Sequence, residues 1–196
     1  MTQRQKNTAS RKAGPSRILQ RHVTVNANGR FSFSEKHGAC FSVNRVYRYL
    51  LWRIWDKRRR PALFIGLNPS TADETTNDPT IRRCINFATS WNCGGILVAN
   101  LFAFCATNPA DLKQEKHPVG PFTDRVLMDA ARMSSFRIAC WGIHGTLRAR
   151  DAHVRNLLGN CDCFGTTKNG QPRHPLYLPA SARLERLSDQ KEKRDA

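Results

Sequence analysis

Four positions in this chain fall at the ends of apolar runs or in loops, where side chains do chemistry. Asn68 lies in the turn Ile65-Gly66-Leu67-Asn68-Pro69-Ser70, straight after the apolar run 62–65. Gly66 permits a bend that other residues resist. Pro69 fixes its own φ and steers Asn68 away from helical geometry. A polar amide is thereby held on a stiff loop. Asn100 closes a second apolar run, Trp141-Gly142 closes a third, and His174-Pro175 follows in a loop. Between the first two runs lies an acidic stretch, 71–78, whose Asp73 and Asp78 are carboxylates able to activate a water. Asp78 is equally placed to cap a helix. Amides, an imidazole and a carboxylate, each at a run end or in a loop, read as an enzyme site.

Strands and helices must position those groups. The run 63–67 reads as a strand. Residues 80–90 read as an amphipathic helix through Ile81, Ile85 and Ala88, started by Asp78-Pro79. Further strands are expected at 95–101, 137–141 and 162–165, and further helices at 123–133 and 146–158. Strands separated by helices predict an α/β fold, three-layer α/β/α, with a central, mostly parallel four-stranded sheet. Ligands in such sheets bind beyond the carboxyl ends of the strands, where Asn68, Asn100, Trp141 and His174 fall. Upstream, Val23-Thr24-Val25 and Phe31-Ser32-Phe33 flank Asn26-Ala27-Asn28-Gly29 as a preceding β-hairpin. Residues 47–55 read as a strand or a short helix. Residues 1–17 read as a disordered basic tail, 18–182 as one domain, and 183–196 as a charged C-terminal tail.

The 196 residues carry a formal charge of +17, from 32 Lys and Arg against 15 Asp and Glu. A polyanion is the natural partner, because neutralised phosphates release counterions. DNA is the expectation, either double-stranded with an extruded base or single-stranded. Lys57-Arg58-Arg59-Arg60 is a basic knot just before the first core strand, so Arg59 and Arg60 are expected to contact DNA beside the site. Cys161-x-Cys163 lacks the usual metal-knuckle spacing, and neither a metal nor another cofactor is expected. No stretch approaches bilayer-spanning length. A cytoplasmic monomer with reduced thiols and no membrane partner is the expectation.

On these motifs the chain is identified as a member of the bacterial and phage family named domain of unknown function 1643. Over residues 60–180 it also resembles the uracil-DNA glycosylase superfamily. Gly66-Leu67-Asn68-Pro69 is similar to the first glycosylase motif, most closely to the Gly-Ile-Asn-Pro form of the mismatch-specific branch. There the Asn positions the attacking water. Gly95-Ile96-Leu97-Val98-Ala99-Asn100 resembles the strand whose final Asn reads the base edge in the uracil-specific branch. Trp141-Gly142 resembles the pair that closes the next core strand. His174-Pro175-Leu176 resembles the His-Pro-Ser loop, whose histidine stabilises the departing base and whose tip wedges into the duplex. The resemblance implies a uracil-DNA-glycosylase-like fold and DNA glycosylase activity. It also has departures. A large aromatic of the uracil-specific branch is replaced here by Ser70. Its base-stacking Phe is replaced by Ile81, leaving Phe87, Trp91 and Phe102 as candidates to stack on the base.

Base removal needs a nucleotide out of the stack, a water at the anomeric carbon, and fixed donors for charge growing on the base. The resemblance implies that Asn68 holds the water; the stretch 71–78 fits neither glycosylase form, but its Asp73 or Asp78 suits a water-activating base. It implies that His174 steadies the departing base, and the nearby cations Lys168 and Arg173 suit the same task. Gly66, Leu67, Pro69, Ser70 and Asn100 then form the base pocket. Leu176 and Tyr177 form the wedge, and the loop 165–170 grips a phosphate. The expected function is hydrolysis of the N-glycosidic bond of a flipped-out, 5-substituted pyrimidine, hydroxymethylated or glucosylated as in phages, in anti-phage defence. The alternatives are a uracil or mismatch repair glycosylase, a catalytically inactive nucleic-acid binder, and a metal-dependent nuclease using Asp73, Glu74 and Asp78.

Overall fold

A computed structural model describes residues 16–25 and 31–188. Its strands are β1 (Val23–Val25), β2 (Phe31–Phe33), β3 (His37–Phe41), β4 (Arg48–Ile54), β5 (Ala62–Gly66), β6 (Gly95–Asn100), β7 (Phe136–Ala139), β8 (Asp162–Cys163) and β9 (Glu185–Arg186). Its helices are α1 (Pro79–Ser90), α2 (Pro109–Gln114), α3 (Thr123–Met133) and α4 (Arg150–Leu158). β1 and β2 pair antiparallel as the expected hairpin. The turn 26–30 and the tail residues 1–15 lie outside the described residues.

The main sheet has seven strands rather than four, in the order β3-β4-β6-β5-β7-β8-β9. The four expected strands are its parallel centre, β6-β5-β7-β8. β3 and β4 extend one side antiparallel, and β9 extends the other. Alternation along the strands serves two cores. Phe64, Val98 and Ile138 pack with Ile81, Cys84, Phe87 and Ala88 of α1 on one face. Leu63, Ile65, Leu97 and Ala99 pack with Val126, Leu127 and Ala130 of α3 and with Val154 and Leu158 of α4 on the other. Each large apolar side chain so buried contributes roughly 1.5–3 kcal/mol.

Local signals hold where the chain's own neighbours set them. Asp78 accepts from the Ile81 N–H at 2.8 Å and Pro79 opens α1. The single helix expected over 146–158 is divided. A 3-10 segment, Ile143–Ala149, precedes α4, and Arg148 and Ala149 adopt left-handed φ of 54° and 53°. Long-range contacts hold the break. Arg148 donates to the carbonyls of Lys116 at 2.8 Å and Glu115 at 2.6 Å. Buried Arg150 donates to Leu101 O at 2.8 Å. Both expected tails also shorten. The Ser16 N–H donates to the buried Asp129 carboxylate at 2.6 Å. At the other end, Glu185–Arg186 join the sheet through β8 and Leu187 is buried.

Candidate active site

The carboxyl ends of β5, β6 and β7 and the start of β4 meet at one end of the sheet. Gly66 and Asn100 are register partners there. By alternation with Ile96 and Val98, Asn100 faces the α1 layer. It is 5% exposed, and its Nδ2 has no hydrogen-bond partner among the described residues. A buried donor left unpaired costs about 1–3 kcal/mol, so the fold tolerates a penalty at this position. Gly66 does not supply the bend expected of it, since its φ is not positive. It supplies space: a Cβ there would come within 2.7 Å of Asn100 Oδ1.

Asn68 is half-buried on the loop that follows. Its Nδ2 donates to Ala106 O at 2.7 Å and to Pro69 O at 3.0 Å. Both neighbours are carbonyls, which only accept, so the amide orientation is fixed. Asn68 Oδ1 accepts no hydrogen bond among the described residues and is left for a donor such as water.

The acidic stretch 71–78 lies against β4, and two buried arginines that sequence reading missed hold it. Arg53 donates from Nε to Asn77 Oδ1 at 2.8 Å, and from Nη2 to the carbonyls of Asp73 at 2.9 Å and Thr76 at 3.1 Å. Arg48, 3% exposed, donates from Nη1 to Ala72 O, while its Nε has no partner. Burial pulls both guanidinium groups below the usual arginine value. The available signal was two arginines inside the aromatic, branched run 47–55.

The carboxylates of this stretch have distinct tasks. Asp73 accepts from the Thr76 and Thr75 N–H groups at 2.7 and 2.9 Å, which holds it down to about 2. A carboxylate stabilised so far toward its charged form is a poor proton acceptor, so the expected role of Asp73 as base is not supported. Glu74 pairs with Arg45 at 2.7 Å. Asp78 caps α1 through Oδ1, with Oδ2 free of protein partners among the described residues.

His174 stands close enough to Asp78 to feel its charge. Burial lowers the imidazole below its ordinary 6.5, and Asp78 partly opposes that. Nδ1 accepts from the Leu176 N–H at 3.4 Å, which leaves Nε2 to carry the proton of the neutral ring. The short 3-10 turn Pro175–Tyr177 follows, tied toward α1 by Arg83 donating to Leu178 O. Leu176 and Tyr177 are exposed at its tip, Tyr177 at 83%. Arg173 and Lys168 are exposed on the preceding loop, closed by a bridge between Thr166 and Pro172. Trp141 is a buried anchor for that loop. Its Nε1 donates to Gln171 Oε1 at 2.8 Å, and Gln171 Nε2 donates to Asp151 at 2.8 Å.

Other expected site residues lie elsewhere. Phe102 is wholly buried in the α3-side core, and Phe87 stacks with Trp91 and Phe164 in the α1-side core. Neither is open to a base, because both satisfy core packing that sequence spacing cannot distinguish from a stacking platform. Arg59 and Arg60 precede the amino end of β5, whereas Gly66 ends it. Five residues of strand, roughly 17 Å, separate them from Asn68. Arg59 pairs with Asp56 at 3.3 Å, and Arg60 donates to Met133 O at 3.2 Å. Ser70 is exposed on the loop after β5, while Pro69 is buried and Leu67 half-buried. All seven cysteines are free thiols, with burial raising Cys40 and Cys161 to about 11 and Cys140 to about 12. Among the described residues no group of three or more His, Cys, Asp or Glu side chains could hold a metal ion. No helix among them is long and apolar enough to cross a membrane.

No curated protein and no solved structure matches the chain. A family model described as a protein of unknown function, DUF1643, matches residues 48–176. The matched span opens at Arg48 and closes at Leu176, so it contains Asn68, Asp78, Asn100 and His174, and the chain belongs to the DUF1643 family.

Proposed function

We propose that this chain is a DNA glycosylase that hydrolyses the N-glycosidic bond of a flipped-out, 5-substituted pyrimidine. The observation that carries the reading is the unpaired, buried Nδ2 of Asn100, facing the same sheet end as Asn68 Oδ1 and neutral His174. A ligand acceptor is one partner that would satisfy such a donor, and a pyrimidine edge carries one. In this reading Asn68 Oδ1 accepts a hydrogen bond from water, whose oxygen attacks the anomeric carbon as the bond to the base nitrogen breaks. The electron pair leaves with the base, where His174 Nε2–H stabilises it. The free oxygen of Asp78 takes the water's proton. Exposed Ser70 leaves room and a hydroxyl for a polar substituent at carbon 5. Defence against phages with modified DNA fits that pocket.

A binder without chemistry is the second reading, and one observation favours it. The Asn68 amide is spent on two backbone carbonyls, as a purely structural turn would require. Duplexes carrying uracil, 5-hydroxymethylcytosine or its glucosylated form, incubated in chelator, separate the two. Release of a substituted base, seen by mass spectrometry with an alkali-sensitive site left behind, supports the proposal. Release of uracil alone would leave a repair enzyme and remove the open pocket. Tight binding with no base released from any duplex would leave only the binder.

A further inference from the structure

A concave surface lies on the other face of the same sheet end. It is a groove of about 630 Å³, and its walls include Arg17, Arg21, Val43, Tyr47, Tyr49 and Phe122. Tyr49 belongs to the α3-side core, and Phe122 immediately precedes α3. Tyr47 and Arg48 are consecutive, so the groove and the candidate active site share a wall at β4.

The wall chemistry is specific. Tyr47 stacks on Tyr49 with ring centroids 6.0 Å apart, and Tyr49 meets Phe122 edge-on at 5.7 Å. Phe122 is 46% exposed and Val43 fully so, so the groove presents apolar side chains to solvent. Arg17 and Arg21, four residues apart on a turn closed by Gln20 N–H to Ser16 O and Val23 N–H to Leu19 O, lie exposed along the rim. Among the described residues no acidic side chain lines the groove. An anionic occupant with flat apolar faces complements these walls.

We propose that this groove binds a single-stranded stretch of DNA, with unpaired bases against Tyr47 and Phe122 and phosphates at Arg17 and Arg21. Duplex DNA fits poorly, because its base faces are already stacked. An aromatic platform flanked by cations is the general solution for unpaired nucleotides. Segment 1–15 is itself cationic, with Arg4, Lys6, Arg11 and Lys12 and no acid, so its charge does not complement the rim. The inference stands whether or not the first site breaks a glycosidic bond.

The test is photo-crosslinking of the full chain to a short oligothymidylate carrying 5-iododeoxyuridine, mapped by mass spectrometry, with affinities measured over a range of salt. Crosslinks at Tyr47 or Phe122 are expected. Phe122→Ala should weaken strand binding roughly tenfold. Arg17→Ala with Arg21→Ala should lower the salt slope by about 1.4. Both changes sit on exposed side chains, and an unchanged circular dichroism spectrum confirms folding. Three results overturn the proposal. Crosslinks confined to the 66–70 and 174–178 loops, with both variants binding as wild type, place the strand elsewhere. Tighter strand binding after deletion of residues 1–15 makes the tail the occupant. Loss of binding to anionic vesicles, rather than to the oligonucleotide, makes the groove a membrane surface. A failure of base excision alters none of these readouts.

Discussion

Arg59 and Arg60 stand out in the sequence, and Arg48 and Arg53 do not, yet the structure reverses their importance. The first pair sits at the amino end of the central strands and is satisfied locally, Arg59 by Asp56 and Asn92, Arg60 by the last carbonyls of α3. The second pair is buried in β4 and reaches across to the backbone of the 71–78 loop. A run of cations announces charge, which water and nearby carboxylates readily neutralise. A lone cation inside an apolar strand must find partners in the fold, because its burial is costly otherwise. The sheet end that carries unpaired donors, Arg48 Nε and Asn100 Nδ2, is the end to interrogate for ligand.

The largest expected effect separates activity from stability at that end. His174→Ala, Asn68→Ala and Asn100→Ala should each lower base excision by about a hundredfold or more, if these groups meet the transition state. Asn100→Ala should leave the protein as stable as before or more so, because it removes a buried donor that has no partner. Excision rates and urea midpoints on the same preparations decide this. A clear loss of stability in Asn100→Ala would show that the amide is paired after all.

Arg53→Met should do the reverse. It strips three acceptors in the 71–78 loop of a charged donor, a loss of about 3 kcal/mol. Equilibrium unfolding measures the loss, and limited proteolysis should cut the loop first. An unchanged midpoint would mean that the loop is held without Arg53.

These contrasts follow what the sequence could and could not disclose. The ends of the central strands were legible because apolar runs such as 95–100 terminate in a polar residue. The start of α1 was legible because Asp78-Pro79 is a local cap. β3 was missed because its small residues, Gly38 among them, give no alternation. The reason lies in Trp52, whose ring occupies the space a Cβ on Gly38 would take. β9 was missed because both of its residues are exposed and only pairing with β8 orders them. Phe87 and Phe102 were misplaced for a related reason. An aromatic near a strand end has the same local spacing whether it fills a core or stacks on a ligand. Arg48 and Arg53 depend on partners some twenty residues away, which no local pattern encodes.

The site's pH response tests the imidazole. Burial holds His174 below 6.5, and His22 is lowered in the same sense by burial and by Arg21. An imidazole that is neutral in the fold but protonated in the unfolded chain favours unfolding as acid is added. Stability from both groups is therefore complete above about 6.5 and declines as pH falls below it. The acid limb of excision should lie below 6.5 for the same reason, and titration of the His174 ring by nuclear magnetic resonance should match it. A limb above 6.5 would assign the titration to another group.

The smallest effects belong to the basic knot, and they complete the comparison. Arg59→Ala should leave the melting temperature within error, because its partners Asp56 and Asn92 remain solvated when it is gone. Arg60→Ala should cost slightly more, on the order of 0.5–1 kcal/mol, because Arg60 meets the carbonyls of Arg132 and Met133 at the negative end of α3. Neither should change DNA affinity as much as Lys168→Ala with Arg173→Ala, whose side chains are exposed on the loops around His174. Loss of two phosphate contacts there lowers the salt slope by nearly two for duplex DNA. The competing outcome is sharp. If Arg59→Ala with Arg60→Ala flattens the slope more than the loop pair does, duplex runs along the amino end of the sheet. The unpaired donors at the carboxyl end then serve a ligand other than DNA.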